Sequence, residues 1–261
     1  MKITKILASA VITAAVGVNI AFCACANGND ADNERQSITL TADTDFKALV
    51  SEKTDNEGWK KAFSPENYYN CTLKNESSQT DEYGYLKHTE ILKSKVQANG
   101  KLIYLNSLMD SSEYGKSKFE VYYAKYADNG VINYYENANS SGFTKIEFLP
   151  DGENYAGMLE AFDFYNYTAF TPDCGKFYSD FVYNEETGAY ESSKTITANG
   201  IGESWNYEYD RIKVKILDGR LAYVYAECAK QPDNFKSETV FYDFDVTSVT
   251  LPADYIEGTL D

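Results

Sequence analysis

Few side chains in this sequence are spaced in a way that supports a known catalytic chemistry. His88 is the only histidine, and it lies in a run that predicts a β-strand. A Ser-His-Asp site would have to use it, but the candidate nucleophile turn Gly202–Asn206 lacks the final glycine that such a strained turn needs. Zinc catalysis needs several His or Cys ligands, which the sequence does not provide. We therefore expect His88 to be an ordinary strand residue.

Carboxylates are abundant, but their spacing does not select a pair. A glycosidase needs two carboxylates at a defined separation. Glu185 and Glu186 fall in a predicted turn, and Asp243 and Asp245 fall on one face of a predicted strand. We interpret both pairs as solvated surface. The residues therefore predict a protein that is not an enzyme and that needs no metal and no cofactor.

Charge and cysteine content exclude further classes. The net charge of -16 repels phosphate backbones, so nucleic-acid binding is not expected. Outside the first 25 residues, cysteines occur only at Cys71, Cys174 and Cys228, and their wide spacing matches no metal-binding pattern. One disulfide with one free thiol is possible; three buried thiols acting as small apolar residues is the favoured interpretation.

The beginning of the chain has the pattern of an export signal. Lys2 and Lys5 precede an apolar run over residues 6–22, and Ala24 stands directly before Cys25. This order favours a lipoprotein signal peptide over residues 1–24 and a diacylated (palmitate-type) Cys25. Ordinary secretory cleavage around Cys25 is the alternative. The predicted location is the cell envelope, lipid-anchored on the outer side of the cytoplasmic membrane, or secreted in the alternative case.

A tether and a helix are predicted to follow the signal. Residues 25–42 are small and polar without apolar periodicity, as in a flexible tether. A single domain is expected over residues 43–261. Phe46, Leu49 and Val50 recur at helical spacing, so a first helix is expected at the start of this domain.

Two more helices are predicted from capping and periodicity. Thr54 and Glu57 form a possible capping box for a short helix before Pro65. The apolar face of this helix carries Trp59 and Phe63. A third helix, inserted between strands, is predicted from an apolar face made of Tyr155, Met158, Leu159 and Phe162.

The rest of the chain predicts about ten strands in successive hairpins. Asn99–Gly100, Asp128–Gly130 and Asp218–Gly219 are turn signals that each separate two strand-like runs. In the clearest hairpin, basic and apolar residues alternate over 211–216, which predicts one buried face and one face with positive charge in water. The predicted strands cover residues 67–74, 85–97, 101–108, 118–127, 131–137, 143–149, 177–183, 189–197, 211–216, 221–225 and 238–246.

These elements predict an α+β, mainly antiparallel β fold. Short hairpin connections make the sheet antiparallel. A sheet of about ten strands must curl, so we expect a curved, half-barrel-like sheet whose concave face is covered by the N-terminal helices and the inserted helix. The 23 tyrosines suit a broad sheet with one wetted face.

The order of elements resembles the lipoprotein-carrier fold of LolA and LppX-type envelope lipoproteins. The matching features are Cys25, the helix around Trp59–Phe63, the strand Asn67–Leu73 and the closing segment Phe241–Pro252. This resemblance covers most of the chain by element order. It implies that a lipid or acyl chain is bound or transferred in the concave cavity.

Two functions of different classes are therefore considered, ligand binding and surface interaction. The first is a membrane-tethered protein that binds or carries a lipid or another apolar ligand in a cavity beneath the helices. The candidate lining residues are Trp59, Phe63, Met158, Leu159 and Phe162. The alternative is a surface interaction module whose tyrosine-rich sheet face contacts protein or glycan, and a solid interior beneath the helices would favour it. The sequence names no protein partner.

The lipoprotein signal is tested by replacing Cys25. Cys25→Ser is expected to abolish acylation, because the thiol is the group that carries the lipid, whereas Cys23→Ser is expected to leave it intact. The measurement is the mass of the N-terminal peptide of the protein recovered from cells. An unmodified N-terminus on the parent protein, together with its release into the medium, would instead establish secretory cleavage.

Overall fold

The computed structural model describes residues 39–81, 83–97, 101–138, 142–160, 162, 176–199, 206–228 and 234–257. They belong to one compact unit, Ser37–Asp261. The predicted signal peptide, Cys25, the tether up to residue 38 and Cys174 lie outside the described residues.

The described strands form one large antiparallel sheet and one small one. The large sheet has twelve strands in the order β14-β6-β5-β4-β3-β2-β1-β13-β12-β11-β8-β7, and β9 pairs with β10 separately. Only the short contact of β14 with β6 is parallel among these pairs. The strands are β1 Cys71–Thr80, β2 Leu86–Gln97, β3 Leu102–Ser111, β4 Gly115–Lys125, β5 Ile132–Ala138, β6 Thr144–Phe148, β7 Phe181–Asn184, β8 Ala189–Ser192, β9 Ile196–Asn199, β10 Asn206–Tyr209, β11 Arg211–Leu217, β12 Arg220–Cys228, β13 Asn234–Tyr242 and β14 Ile256–Glu257.

The mainly antiparallel fold predicted from the sequence is confirmed, and the large sheet is not closed into a barrel. The turn signals explain the local pairing. Asp218 and Gly219 both adopt positive φ, 50° and 69°, as a tight two-residue hairpin requires, and they join β11 to β12. The described residues form fourteen strands, more than the predicted ten, partly because the run 189–197 is divided into β8 and β9 by Ser193 and Lys194.

Two hairpin arrays are joined by one long-range ladder. β1 to β6 pair in chain order, and β11, β12 and β13 do the same. β13 then pairs with β1 from Thr72↔Tyr242 to Thr80↔Asn234. Within this ladder Asn75 is 2% exposed, and its Nδ2 donates to Ser237 Oγ at 2.6 Å and to Thr239 Oγ1 at 2.8 Å. The buried amide thereby ties the two arrays together.

The register divides the large sheet into two faces. Because side chains alternate along a strand, the paired residues Leu73, Ser94 and Leu105 share one face, which we call the helix face. The opposite, lysine-rich face carries Lys74, Lys93, Lys213, Lys215 and Lys236 by the same register.

Helix α1, Asn56–Ala62, packs on the helix face. Its N-cap is Asp55, whose Oδ1 accepts the Gly58 N–H at 2.8 Å, so the cap lies one residue after the predicted Thr54. Trp59 is fully buried, and its ring lies 5.0 Å from that of Phe63 and 4.7 Å from that of Phe181. The predicted apolar face of this helix is therefore part of the main core.

The helix predicted to open the domain does not form. Residues 39–53, which we call the crossing segment, contain turns and run over the lysine-rich face. Asp45 Oδ1 accepts the N–H groups of Lys47 and Ala48, an arrangement that competes with a helix. Ser51 N–H donates to the Gly188 carbonyl at 2.7 Å, and Leu40, assigned to the tether from the sequence, is 6% exposed.

Two strand boundaries also differ from the prediction. Residues 65–68 form a 3₁₀ helix, Pro65–Tyr68, so the first strand begins at Cys71 instead of residue 67. The last long strand ends at Tyr242, and Asp243 and Asp245 adopt positive φ of 53° and 63° in a turn. Asp is among the residues that tolerate this conformation, so the two carboxylates do not share a strand face.

The inserted helix is shorter than predicted. α2 spans Tyr155–Glu160, and Phe162 follows it. The Phe162 ring lies 6.0 Å from that of Tyr123, which the register places on the helix face. Tyr155 Oη donates to the carbonyl of Gly130, so α2 is fixed to the turn before β5.

Replacing Trp59 tests its role in the core. Trp59→Ala is expected to lower the free energy of unfolding by about 3–5 kcal/mol, because the ring leaves a cavity among packed aromatic side chains. Urea unfolding followed by circular dichroism measures this change. Tyr114→Ala, at a position 83% exposed, is the control and is expected to change it by less than about 0.5 kcal/mol. A small effect at Trp59 would show that its surroundings are loosely packed.

Candidate functional site

The five predicted lining residues are not brought together around one cavity. Trp59 and Phe63 belong to the cluster beneath α1, with exposures of 0% and 5%. Phe162 packs against a second cluster on β2 to β5. Met158 is half-buried, and Leu159 is 37% exposed. None of the cavities described below is lined by any of the five.

The packing beneath α1 is closed by aromatic rings and hydrogen bonds. The Trp59 ring is also 5.3 Å from that of Tyr190, whose Oη accepts the Thr54 N–H at 2.6 Å and donates to the Thr54 carbonyl at 3.0 Å. Tyr68 is fully buried, and its Oη donates to the Ala62 carbonyl and accepts the Leu221 N–H. These contacts place Trp59 and Phe63, the predicted lining residues near α1, in the core.

Cys71 and Cys228 are free thiols within the same core. Burial raises the pKa of both thiols, that of Cys228 to about 12. Because the thiolate is the reactive form, neither thiol is suited to nucleophilic chemistry at neutral pH. This agrees with their interpretation as small apolar residues, while Cys174 lies outside the described residues.

Three adjoining cavities lie instead on the lysine-rich face, where the crossing segment runs over the sheet. All three are lined by Lys47 and Glu238, whose Nζ and Oε1 form an ion pair of 2.8 Å. The volumes are about 590, 560 and 480 Å³. The first two are described below, and the volume of each cavity lies in the range typical of small-molecule sites.

The largest of the three, which we call the apolar cavity, is lined on the sheet side by Ile91, Leu108 and Val240, together with charged residues that include Lys74, Glu76 and Lys93. Ile91 and Leu108 are direct cross-strand partners of β2 and β3 and remain 41% and 44% exposed. The crossing segment contributes Phe46, which packs 6.2 Å from the ring of Tyr242. This cavity therefore combines exposed aliphatic side chains with an aromatic wall.

The second, which we call the cationic cavity, borders β11 and β12. Its lining includes Arg211, Lys213, Lys215 and Tyr223 on the sheet side, and the turn at 185–188. Gly188 is required at the edge of that turn, because its φ is 58° and an added Cβ would lie 3.1 Å from Val50. The turn thus fixes where the crossing segment meets β8.

Most of the charges around the cationic cavity are paired. Lys213 Nζ lies 2.9 Å from Glu191 Oε1 across β11 and β8, and Arg211 lies 3.6 Å from Glu227. Burial by itself raises the pKa of Glu191, but the hydrogen bonds from Lys213 and Thr187 outweigh burial, so this pKa lies below its usual range. Glu191 therefore remains ionised at neutral pH.

Lys215 departs from this pattern and from the sequence prediction. It was expected in water with its neighbours on β11, yet it is only 4% exposed beneath the crossing segment. Its Nζ donates to the Lys47 carbonyl at 2.5 Å and lies 5.7 Å from the centre of the Tyr223 ring. Burial, followed by the nearby charge of Lys213, lowers the pKa of Lys215.

A row of aromatic rings continues along the same face beyond the cavities. The ring of Tyr104 lies 4.8 Å from that of Tyr122, which lies 5.5 Å from that of Phe143. Tyr104 and Tyr122 are half-buried, and burial, followed by the charge of Glu120, raises the pKa of both. Both phenols therefore stay neutral at neutral pH.

Sequence reasoning missed the cavity residues, although one signal was present. Ile91-Leu92 and Leu108-Met109 are adjacent apolar pairs that interrupt the alternation of their strands. Such pairs indicate that both faces of a strand contact apolar groups. The covering of Lys215, by contrast, depends on a segment about 168 residues away in the chain, which no local pattern could reveal.

The sequence matches no protein-family model, and no curated protein matches it either. Among the described residues, no group of three or more His, Cys, Asp and Glu side chains is arranged to hold a metal ion. The described helices are also too short, or too polar, to cross a membrane.

The Lys213–Glu191 pair gives a pH-dependent prediction. Ionised Glu191 contributes stability that is fully present above its unfolded pKa of 4.5 and is lost as the pH falls through its lower folded pKa. Glu191→Gln is expected to cost at most about 1 kcal/mol at pH 7 and nothing measurable at pH 3. Urea unfolding at both pH values measures this, with exposed Glu66→Gln as control. An equal cost at both pH values would assign the effect to packing instead of charge.

Proposed function

We propose that this chain is a non-enzymatic binding protein, exported and anchored to the outer side of a membrane through acylated Cys25, that holds a lipid or another apolar ligand. The observation that carries the proposal is the apolar cavity on the lysine-rich face. Its volume of about 590 Å³ and its exposed Ile91 and Leu108 suit an aliphatic chain. Each Å² of apolar ligand surface removed from water would contribute about 25 cal/mol.

The proposal includes a sheet that bends around α1 and α2, as in the LolA and LppX-type carriers that the element order resembles. The register supports this, because α1 and Phe162 both contact the helix face. The ligand site differs from the carrier pattern. The aromatic packing around Trp59 fills the space beneath α1, so the proposed site lies on the opposite face, between the sheet and the crossing segment.

The anchor in this proposal holds the site near the membrane. Cys25 precedes residue 39, the first described residue, by 14 positions in the sequence. The crossing segment that follows residue 38 forms one wall of the apolar cavity through Thr44 and Phe46. A membrane-derived ligand would therefore have a short path from the bilayer to the site.

A second candidate function is contact with protein or glycan through the aromatic row of Tyr104, Tyr122 and Phe143. Half-buried tyrosines in tilted and edge-to-face contact suit the apolar faces of sugars and the side chains of peptides. The closed packing beneath α1 also supports this alternative, because a solid interior beneath the helices favours an interaction module over a ligand cavity at that place. The two surfaces lie on one sheet face but use different residues.

The test is the identity of material that copurifies with the protein. Leu108→Glu is expected to lower the amount of bound apolar material at least about tenfold, because a carboxylate against an aliphatic chain costs more than about 1.4 kcal/mol. Lys118 lies directly opposite residue 108, so its positive charge can pair with the introduced carboxylate and help the variant to fold. The measurement is solvent extraction of protein purified from cells, followed by mass spectrometry.

Leu149→Glu is the matched control, since Leu149 is 50% exposed and lines none of the three cavities. It is expected to retain the bound material. Absence of lipid above background from the well-folded parent protein would overturn the proposal. Recovery of glycan that is lost in Tyr122→Ala but kept in Leu108→Glu would establish the second candidate.

A further inference from the structure

Lys215 is a buried ammonium group with no carboxylate of the described residues within ion-pair distance, and the charge of Asp45 acts on it only from farther away. Only 4% of the residue is exposed, and its Nζ donates to the neutral carbonyl of Lys47 and lies 5.7 Å from the centre of the Tyr223 ring. An ammonium group has three donors, and burial of a charge is costly unless it is paired. A group in this situation at the wall of a cavity of about 560 Å³ is suited to an anionic ligand.

The other cations that line the cationic cavity do not compete for that ligand, because each already has a partner, and Lys93, which lines the adjoining apolar cavity without an ion pair among the described residues, is half-exposed to water. Lys213 is 2.9 Å from Glu191, Arg211 is 3.6 Å from Glu227 and Lys47 is 2.8 Å from Glu238. The charge of a bound anion would therefore be met chiefly by Lys215. The protein as a whole carries a net charge of -16, so this unpaired cation stands out against an acidic surface.

The same surroundings limit the charge of the ligand. Glu186 also lines the cationic cavity and has no ion pair among the described residues, whereas Glu185 and Glu238 are paired with Lys53 and Lys47. A phosphate monoester, with nearly two negative charges, would be repelled by Glu186 more strongly than a carboxylate with one. The site thus favours a single negative charge.

The position of Lys215 connects this charge to the apolar cavity. The two cavities share Lys47, Tyr223 and Glu238, so they adjoin. We infer that Lys215 binds the carboxylate head group of a single-chain amphiphile whose aliphatic chain lies over Ile91 and Leu108. This inference rests on the proposed function and names its ligand class: a long-chain carboxylate.

The experiment compares three ligands that differ only in the head group. Dodecanoate, methyl dodecanoate and dodecyl phosphate are each used to displace the neutral dye Nile red from the purified protein. Dodecanoate is expected to bind about tenfold more tightly than the methyl ester, as one charge-assisted hydrogen bond provides, and more tightly than the phosphate. In Lys215→Met the preference for dodecanoate over the ester is expected to fall below about twofold with the ester affinity unchanged.

Lys60→Met removes the same charge from the exposed surface of α1 and is expected to keep the preference. Lys215→Arg retains the charge and is expected to keep most of it, and Lys215→Gln replaces Lys215→Met if the methionine variant does not fold. Equal affinity of the parent protein for dodecanoate and its ester, tighter binding of the phosphate, or an unchanged preference in Lys215→Met would each overturn the inference while leaving the proposed function intact. If dye binds and no ligand displaces it, or if no dye binds, both are overturned.

Discussion

The structure depends on the ladder between β1 and β13. The two strands are separated by more than 150 residues, and their pairing turns two local hairpin arrays into one twelve-stranded sheet. Local hairpins form readily, but a long-range pairing must overcome a larger loop-closure entropy. The buried amide of Asn75 is suited to this position, because its hydrogen bonds to Ser237 and Thr239 are satisfied only when the register is correct.

The two faces of the joined sheet have different roles. The helix face carries the core, in which Trp59 and Tyr68 fill the space beneath α1. Among the described residues, the crossing segment is the part of the chain that runs over the lysine-rich face. Cavities arise beside this segment because a single irregular stretch of chain cannot cover a broad sheet. The proposed ligand site is thus a consequence of this incomplete covering.

The charges of the lysine-rich face follow from the same division. Cross-strand pairs such as Lys213–Glu191 keep this face soluble and contribute modestly to stability. Lys215 differs because the crossing segment removes it from water and supplies the carbonyl of Lys47 and the more distant charge of Asp45, but no ion pair. A cation can be kept in such a position when it serves a ligand, and this links the geometry of the crossing segment to the proposed recognition of a carboxylate.

The sequence by itself determined the elements that rest on local chemistry. The Asp218–Gly219 turn, the alternation of β11 and β12, the apolar face with Trp59 and Phe63 and the antiparallel character of the sheet all follow from residues close in the chain. The tertiary structure decided what depends on distant partners. Residues 43–50 have helical spacing, but Ser51 and Glu52 directly after them bond to the turn before β8 and to β11. The carbonyl of Lys47 accepts from buried Lys215, so contacts with the sheet outweigh a weak helical propensity.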